Sequence, residues 1–224
     1  MPELSKPKRK KPADYSLYLV TDRDLSLGRS QVEVVAAAIK GGVSCVQLRE
    51  KTLDSRDFVD EARKLKQLLD DHALPLIIND RVDVVLASGA DGVHLGQKDM
   101  LVADARRLLG DSAIIGVSAE SVEDAVRAEE EGADYIGISP VYATATKTDT
   151  ATPLGLSGIA TIRKRVRLPL VGIGGIHAAN IADVLAAGAD GIAVISAIVA
   201  APSPEDAARL LRRRMGSPLQ NRQQ

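Results

Sequence analysis

The sequence predicts a single-domain α/β fold, a (β/α)8 TIM barrel, and three observations carry that prediction. First, one phrase keeps returning: GADGVHLG from Gly89, EGADYIGIS from Glu131, AGADGIAVI from Ala187, and a looser GGVSCVQLR from Gly41. Second, the three closest copies each follow a stretch of helical periodicity, RVDVVLAS, SVEDAVRAEE and NIADVLAA. Third, the apolar run after each glycine is short and continuous, as in a parallel strand that is covered on both faces. A glycine just past a helix adopts the left-handed conformation cheaply and ends that helix. Each phrase is therefore one helix-to-strand joint.

Taken in order, LYLVT at 17–21 reads as the first strand, followed by a helix over about 30–40. The second strand begins near residue 45, and SRDFVDEARKLKQLLDDH supplies an amphipathic helix over about 55–71, with its charges on a solvated face. PLIIN at 75–79 is the third strand, with a helix at about 81–88. The fourth begins near 92 and is followed by a helix at about 101–109. AIIGVS at 113–118 is the fifth, with a helix at about 121–131. The sixth strand begins near 135, with a helix at about 156–165. PLVGIG at 169–174 is the seventh, with a helix at about 180–187. The eighth begins near 191 and precedes a final helix, PEDAARLLRRRM. Eight alternating units in about 200 residues fit a compact barrel. A doubly wound open sheet is the alternative, but its GxGxxG turn is missing after the first strand.

Composition narrows the class. With 224 residues, 45% of them apolar, the chain can bury a substantial core. Its 29 basic and 30 acidic residues nearly cancel, which argues against a nucleic-acid footprint over the whole chain. The single Cys45 excludes an internal disulfide and a Cys-based zinc site. No apolar run approaches the roughly 20 residues of a membrane span. The opening MPELSKPKRKKPAD lacks the apolar centre of a signal peptide. The expected division is a disordered basic leader at 1–14, the barrel at 15–216 and a disordered tail at 217–224, in a cytoplasmic protein. A homo-oligomer is compatible with this composition.

The spacing of the repeat marks a site. Gly89 and Gly132 lie 43 residues apart, whereas Gly132 and Gly188 lie 56 apart. Each interval covers two units, so the excess falls in PVYATATKTDTATPLG, after the sixth strand. Loops at the carboxyl ends of barrel strands carry chemistry, and the opposite joints carry stability. At that active end alternation sends Gln47, Arg49 and Lys51 the same way. Asn79 and Asp80 end the third strand, Gln97, Lys98 and Asp99 follow the fourth, and Ser118 closes the fifth. The long loop brings Thr144, Thr146 and Lys147. Gly174-Gly175 and Ile195-Ser196 end the last two strands, where barrels bind phosphate on backbone N–H groups; a tight turn without a ligand is the bland alternative. Asp80 and Asp99 end adjacent strands with no Lys or Arg in the strand beside them, and suit Mg²⁺ completed by water and phosphate oxygens. Alone, Asp80 reads as a helix cap and Asp99 as a solvated loop residue. Beside Arg49, Lys51 and Lys147 they read as the holder of a second, more highly charged phosphate group. His94, inside VHLG, reads as a barrel or core histidine and Cys45 as a packed one. With one Cys and three His, a catalytic triad has little support.

QLREK, IIND, DGVHLGQKDM, GVS, ATATKTD, VGIGGI and GIAVISAI resemble, in order and spacing, the motifs of the thiamin phosphate synthase family. The resemblance runs from about Tyr18 to Ile198. One departure is Ser139-Pro140, where the family often has Gly-Pro. The resemblance implies a transferase with two phosphorylated small-molecule substrates and Mg²⁺, and neither nucleic acid nor membrane as a partner. The reaction it implies is loss of pyrophosphate from 4-amino-5-hydroxymethyl-2-methylpyrimidine diphosphate to give a pyrimidine cation, and capture of that cation by 4-methyl-5-(2-phosphoethyl)thiazole. It implies that Gln47, Leu48, Arg49, Glu50, Lys51, Asn79, Ser118 and Lys147 hold the pyrimidine diphosphate. Among these, Arg49, Lys51, Lys147 and Ser118 act in catalysis. It likewise implies that Thr144, Ala145, Thr146, Gly175, Ile195 and Ser196 hold the thiazole phosphate, and Asp80 and Asp99 the metal. A thiazole tautomerase would share the phosphate loops but not need the diphosphate set. A non-catalytic phosphate-binding regulator would be marked by loss of an acidic ligand. An aldolase-type barrel would need a Lys inside a strand, and none is present.

Overall fold

The structure, a computed structural model, describes residues 13–144 and 152–216. The expected leader and tail lie almost wholly outside these residues. The strands are β1 (Leu17–Val20), β2 (Cys45–Leu48), β3 (Leu76–Asn79), β4 (Gly92–Leu95), β5 (Ile114–Ala119), β6 (Tyr135–Ile138), β7 (Leu170–Ile173) and β8 (Gly191–Val194). Each pairs in parallel with the next, and β8 closes on β1. The helices are α1 (Gln31–Lys40), α2 (Ser55–Asp70), α3 (Val82–Ser88), α4 (Val102–Leu109), α5 (Val122–Glu130), α6 (Gly155–Arg163), α7 (Ile181–Ala186), α8 (Ser196–Val199) and α9 (Pro204–Arg214). The sequence pattern foresees all of these but α8, whose four residues are too few to show a period. Among the described residues no helix is long and apolar enough to cross a membrane.

The repeated phrase is a structural clasp. Gly89, Gly132 and Gly188 take φ of +75°, +86° and +111°, the left-handed turn that releases the chain from its helix. The Asp that follows then locks the next strand to its neighbour. Asp91 accepts the Leu76 N–H at 2.8 Å through Oδ2 and returns its own N–H to the Leu76 carbonyl at 2.9 Å. Asp134 does the same with Ile115, and Asp190 with Leu170. In the looser copy Ser44 takes the place of Asp, with its Oγ accepting the Leu17 N–H at 3.0 Å. These contacts satisfy backbone groups at the strand starts, which would otherwise be buried without partners. Lys66, Arg106 and Arg163 add ion pairs to the three aspartates from the preceding even-numbered helices.

Apolar side chains form two layers. Leu17, Leu19, Val46, Leu48, Ile78 and their equivalents face the helices. Tyr15, Tyr18, Val20, Cys45, Ile77, Ile114, Tyr135, Val171 and Ala193 fill the barrel interior. Three tyrosines dominate that interior, and the Tyr15 and Tyr135 rings lie 4.5 Å apart between centroids. Glycines make room for them: a Cβ on Gly116 would sit 2.0 Å from Cζ of Tyr135, and one on Gly191 would sit 2.1 Å from the Tyr15 carbonyl oxygen. The interior is thus plugged at its amino end and opens at the carboxyl ends of the strands.

Candidate active site

A cavity of about 1000 Å³, including solvent at its mouth, opens at that carboxyl end. Its floor is a continuous hydrogen-bonded chain. Gln47 Nε2 donates to the Tyr18 hydroxyl at 3.1 Å, and the Tyr18 and Tyr135 hydroxyls lie 2.9 Å apart. Tyr135 meets His94 Nδ1 at 2.9 Å, and His94 Nε2 meets Ser118 Oγ at 2.9 Å. Burial pushes both tyrosine hydroxyls well above their ordinary range, so they stay protonated as donors. His94 keeps its place because Gly137 across the barrel has no side chain; a Cβ there would sit 3.0 Å from the His94 ring. Sequence reasoning places His94 correctly in the barrel but misses that it lines the cavity, as it misses Tyr18 and Tyr135. The available signal was alternation within VHL and YIG, which turns His94 and Tyr135 inward. Cys45 is fully buried and burial pushes its thiol up, which makes it a packing residue.

Charge gathers on one side of the mouth. Arg49 lines the cavity, with its guanidinium 3.0 Å from Asp22 Oδ2 and its Nε buried without a hydrogen-bond partner among the described residues. Asp80 ends β3 with φ +63°, a left-handed conformation unusual for a residue with a side chain. Its carboxylate takes a 2.6 Å ion pair from Lys51. The strands themselves hold no Lys or Arg beside Asp80, but Lys51 reaches it from beyond the end of β2. Asp99 Oδ2 accepts the Gly96 N–H at 2.6 Å, and the Asp80 and Asp99 carboxyl groups contact each other. Burial and the neighbouring Asp80 raise Asp99 above the usual carboxylate range, against the Gly96 N–H that lowers it. For Asp80 burial acts upward, but the Lys51 and Asp99 hydrogen bonds outweigh it and hold the group low. Two carboxyl groups brought together at one edge of the cavity are oxygen donors of the kind a hard divalent cation takes.

The other expected residues divide three ways. Asn79, Ser118, Thr144, Gly175, Ile195 and Ser196 line the same cavity as Gln47 and Arg49. Leu48 points into the helix-facing core, and Glu50 is buried against Arg23 at 2.9 Å, so their side chains face away from the cavity. Ala145, Thr146 and Lys147 lie outside the described residues. Opposite the charged rim the wall is built from the glycine turn after β7, the start of α8 and apolar side chains such as Ile173 and Ile195. Gly174 and Gly175 take φ of +101° and +64°, and α8 begins at Ser196 with N–H groups that precede any intrahelical acceptor. A Cβ on Gly175 would meet the Ala143 carbonyl oxygen at 2.8 Å. Gly175→Ala is therefore expected to cost on the order of 1–3 kcal/mol, read as a lowered melting temperature, from both strain and contact.

The family model described as thiamine monophosphate synthase matches residues 17–198. A thiamine-phosphate synthase of Albidiferax ferrireducens is 57% identical over 196 residues, 88% of this chain and 90% of the relative. One from Chloroflexus aurantiacus is 54% identical, over 89% of this chain and 92% of its own. The solved thiamine phosphate pyrophosphorylase of Pyrococcus furiosus superposes with a TM-score of 0.84 at 39% identity, over 91% of this chain and 96% of that one. A 3-hexulose-6-phosphate synthase, at 18% identity and a TM-score of 0.67, shares the fold alone.

Proposed function

This chain belongs to the thiamine monophosphate synthase family, and from that premise we propose how its cavity divides between the two halves of the reaction. The enzyme is a transferase that joins 4-amino-5-hydroxymethyl-2-methylpyrimidine diphosphate to 4-methyl-5-(2-phosphoethyl)thiazole, forming thiamin phosphate and pyrophosphate. The charged rim takes the diphosphate and the glycine-lined wall takes the monophosphate. One observation carries this division: the Arg49 guanidinium borders the cavity with a buried Nε that has no hydrogen-bond partner among the described residues, beside the Lys51–Asp80–Asp99 cluster.

In the reaction the carbon–oxygen bond of the pyrimidine methylene breaks, and pyrophosphate leaves with the electron pair. The thiazole nitrogen then donates its lone pair to the resulting cation. No proton moves in either step, which suits a site rich in fixed charge. Arg49 and Lys51 hold the departing oxygens, and Lys51 exchanges Asp80 for phosphate as the diphosphate enters. Lys147 is assigned to the same group, and Thr146 and Ala145 to the monophosphate, although all three lie outside the described residues. Asp80 and Asp99 fit Mg²⁺, whose charge when bound stabilises the leaving pyrophosphate. The Gln47–Tyr18–Tyr135–His94–Ser118 chain orients polar groups toward the pyrimidine ring, and Asn79 stands beside it. Gly175, Ile195, Ser196 and Thr144 offer the thiazole phosphate N–H and hydroxyl donors. We read the enzyme as cytoplasmic, with these two small molecules as its partners.

The test is direct. Purified protein with both substrates and Mg²⁺ is expected to yield thiamin phosphate and pyrophosphate in equal amounts, with chelation abolishing turnover. Pyrophosphate released in the absence of the thiazole at the full rate, with no coupled product, would overturn the division.

A further inference from the structure

Gln97 lies in the turn between β4 and α4, two residues before Asp99, and the proposed chemistry does not use it. Its carboxamide nonetheless bridges two other elements. Nε2 donates to the Ser118 carbonyl at 2.5 Å, near the end of β5, and Oε1 accepts from Arg127 Nη2 on α5 at 2.5 Å. That guanidinium is itself steered, since Nη2 also reaches Asp124 Oδ1 at 2.5 Å one turn earlier. Asp124 is fixed in turn by the Glu120 N–H on its other oxygen and by the Ser121 cap on its own N–H.

The turn carrying Asp99 is closed upon itself. Gly96 donates its N–H to Asp99 Oδ2 at 2.6 Å, and the Asp99 N–H returns to the Gly96 carbonyl at 3.2 Å. These two bonds tie the turn to itself, and Gln97 ties it to the neighbouring strand through the Ser118 carbonyl. Gln97 and Asp99 themselves line a second cavity, with Met100, Val117, Arg127 and Ala128 across it, so there is open space beside the turn. A carboxamide is the side chain that suits this place, because it offers a donor to a carbonyl and an acceptor to a guanidinium at once.

We infer that Arg127 and Gln97 form a strap that sets the position of Asp99 and of the β5 end carrying Ser118, which makes both positioning residues for the metal and diphosphate half of the site. The inference rests on the reading of Asp99 as a metal ligand. Outer partners that orient a ligand change metal affinity by about 10–100-fold when removed. Arg127 is half exposed, so its replacement leaves the core untouched.

The experiment measures Mn²⁺ binding by electron paramagnetic resonance in the presence of pyrophosphate, with thiazole phosphate affinity by calorimetry as the second readout. Arg127→Ala and Gln97→Glu are each expected to weaken Mn²⁺ about tenfold, and Arg127→Lys to recover most of the loss. Gln97→Glu is diagnostic because it keeps an acceptor for Arg127 but has no donor for Ser118. Thiazole phosphate affinity should stay within twofold, whereas general damage to the barrel would lower both. In the metal-free protein, amide exchange at Gly96 and Asp99 is expected to quicken in Arg127→Ala. If Arg127→Ala binds Mn²⁺ like the parent while Asp99→Ala loses it, the strap is wrong and the metal reading stands. If Asp99→Ala also binds it unchanged, both fall.

Discussion

Asp99→Ala is expected to lower turnover by about 100-fold or more while the protein melts within a few degrees of the parent. The expected loss corresponds to about 3 kcal/mol of transition-state stabilisation. On the proposed division, negative charge grows on oxygens beside the rim as pyrophosphate departs, and a metal held by Asp99 would add to the charge that Arg49 and Lys51 offer it. The companion substitution at the other carboxylate is Asp80→Asn and not alanine. Asp80 sits at φ +63°, where asparagine is tolerated and alanine is strained, so only the amide removes charge without adding backbone cost. Asp80→Asn also frees Lys51 from its 2.6 Å partner. Its rate is therefore expected to fall with a weakened Mg²⁺ dependence, while diphosphate affinity falls less than the rate does. Steady-state rates across a Mg²⁺ titration, beside thermal melts, check both variants. Normal turnover of Asp99→Ala at limiting Mg²⁺ would remove the carboxylate pair from the mechanism.

Gly116→Ala is the second large effect, and it tests stability and chemistry together. The new methyl would lie 2.0 Å from Tyr135 Cζ and 2.4 Å from its hydroxyl oxygen, closer than any side chain tolerates. Tyr135 is packed against Tyr15 and Tyr18 inside a closed barrel, so it has little room to retreat. Overpacking of this kind costs about 3 kcal/mol, and a chain of this size then melts roughly 6–12 °C lower. Any displacement of Tyr135 also breaks its bond to His94, so activity is expected to fall further than stability alone explains. The double variant Gly116→Ala/Tyr135→Leu separates the two, because the smaller leucine relieves the clash but supplies no hydroxyl. It should regain much of the melting temperature and little of the activity. Equal melting of Gly116→Ala and the parent would refute the packing argument.

Much of the barrel was legible in the chain because its signals are local. A helix period, a glycine and a short apolar run sit within about fifteen residues of one another, and burial on both faces writes itself as continuous hydrophobicity. The charged edge was legible for a similar reason, since alternation along β2 turns Gln47 and Arg49 toward the cavity. Alternation also explains why Leu48 and Glu50 face away from it, a consequence that motif matching alone does not deliver. What stayed hidden depends on closure. Tyr18, Gln47, His94, Ser118 and Tyr135 come from five different strands, and nothing local says that their tips converge on one chain of hydrogen bonds. The Lys51–Asp80 pair joins two strand ends 29 residues apart, and α8 is a single turn without a period to detect.

The clasps at the amino end fall only on alternate joints. Ser44, Asp91, Asp134 and Asp190 tie β1 to β2, β3 to β4, β5 to β6 and β7 to β8, and each tie closes a loop of strand, crossover helix and strand. The circle of eight is therefore also a ring of four cassettes, each sealed by its own bond. Between cassettes the chain passes through even-numbered helices without such a seal, and those seams are where new termini could be opened with every clasp intact. A break inside a cassette would leave the clasp's two halves on distant parts of the chain, to meet again only after the whole ring had formed.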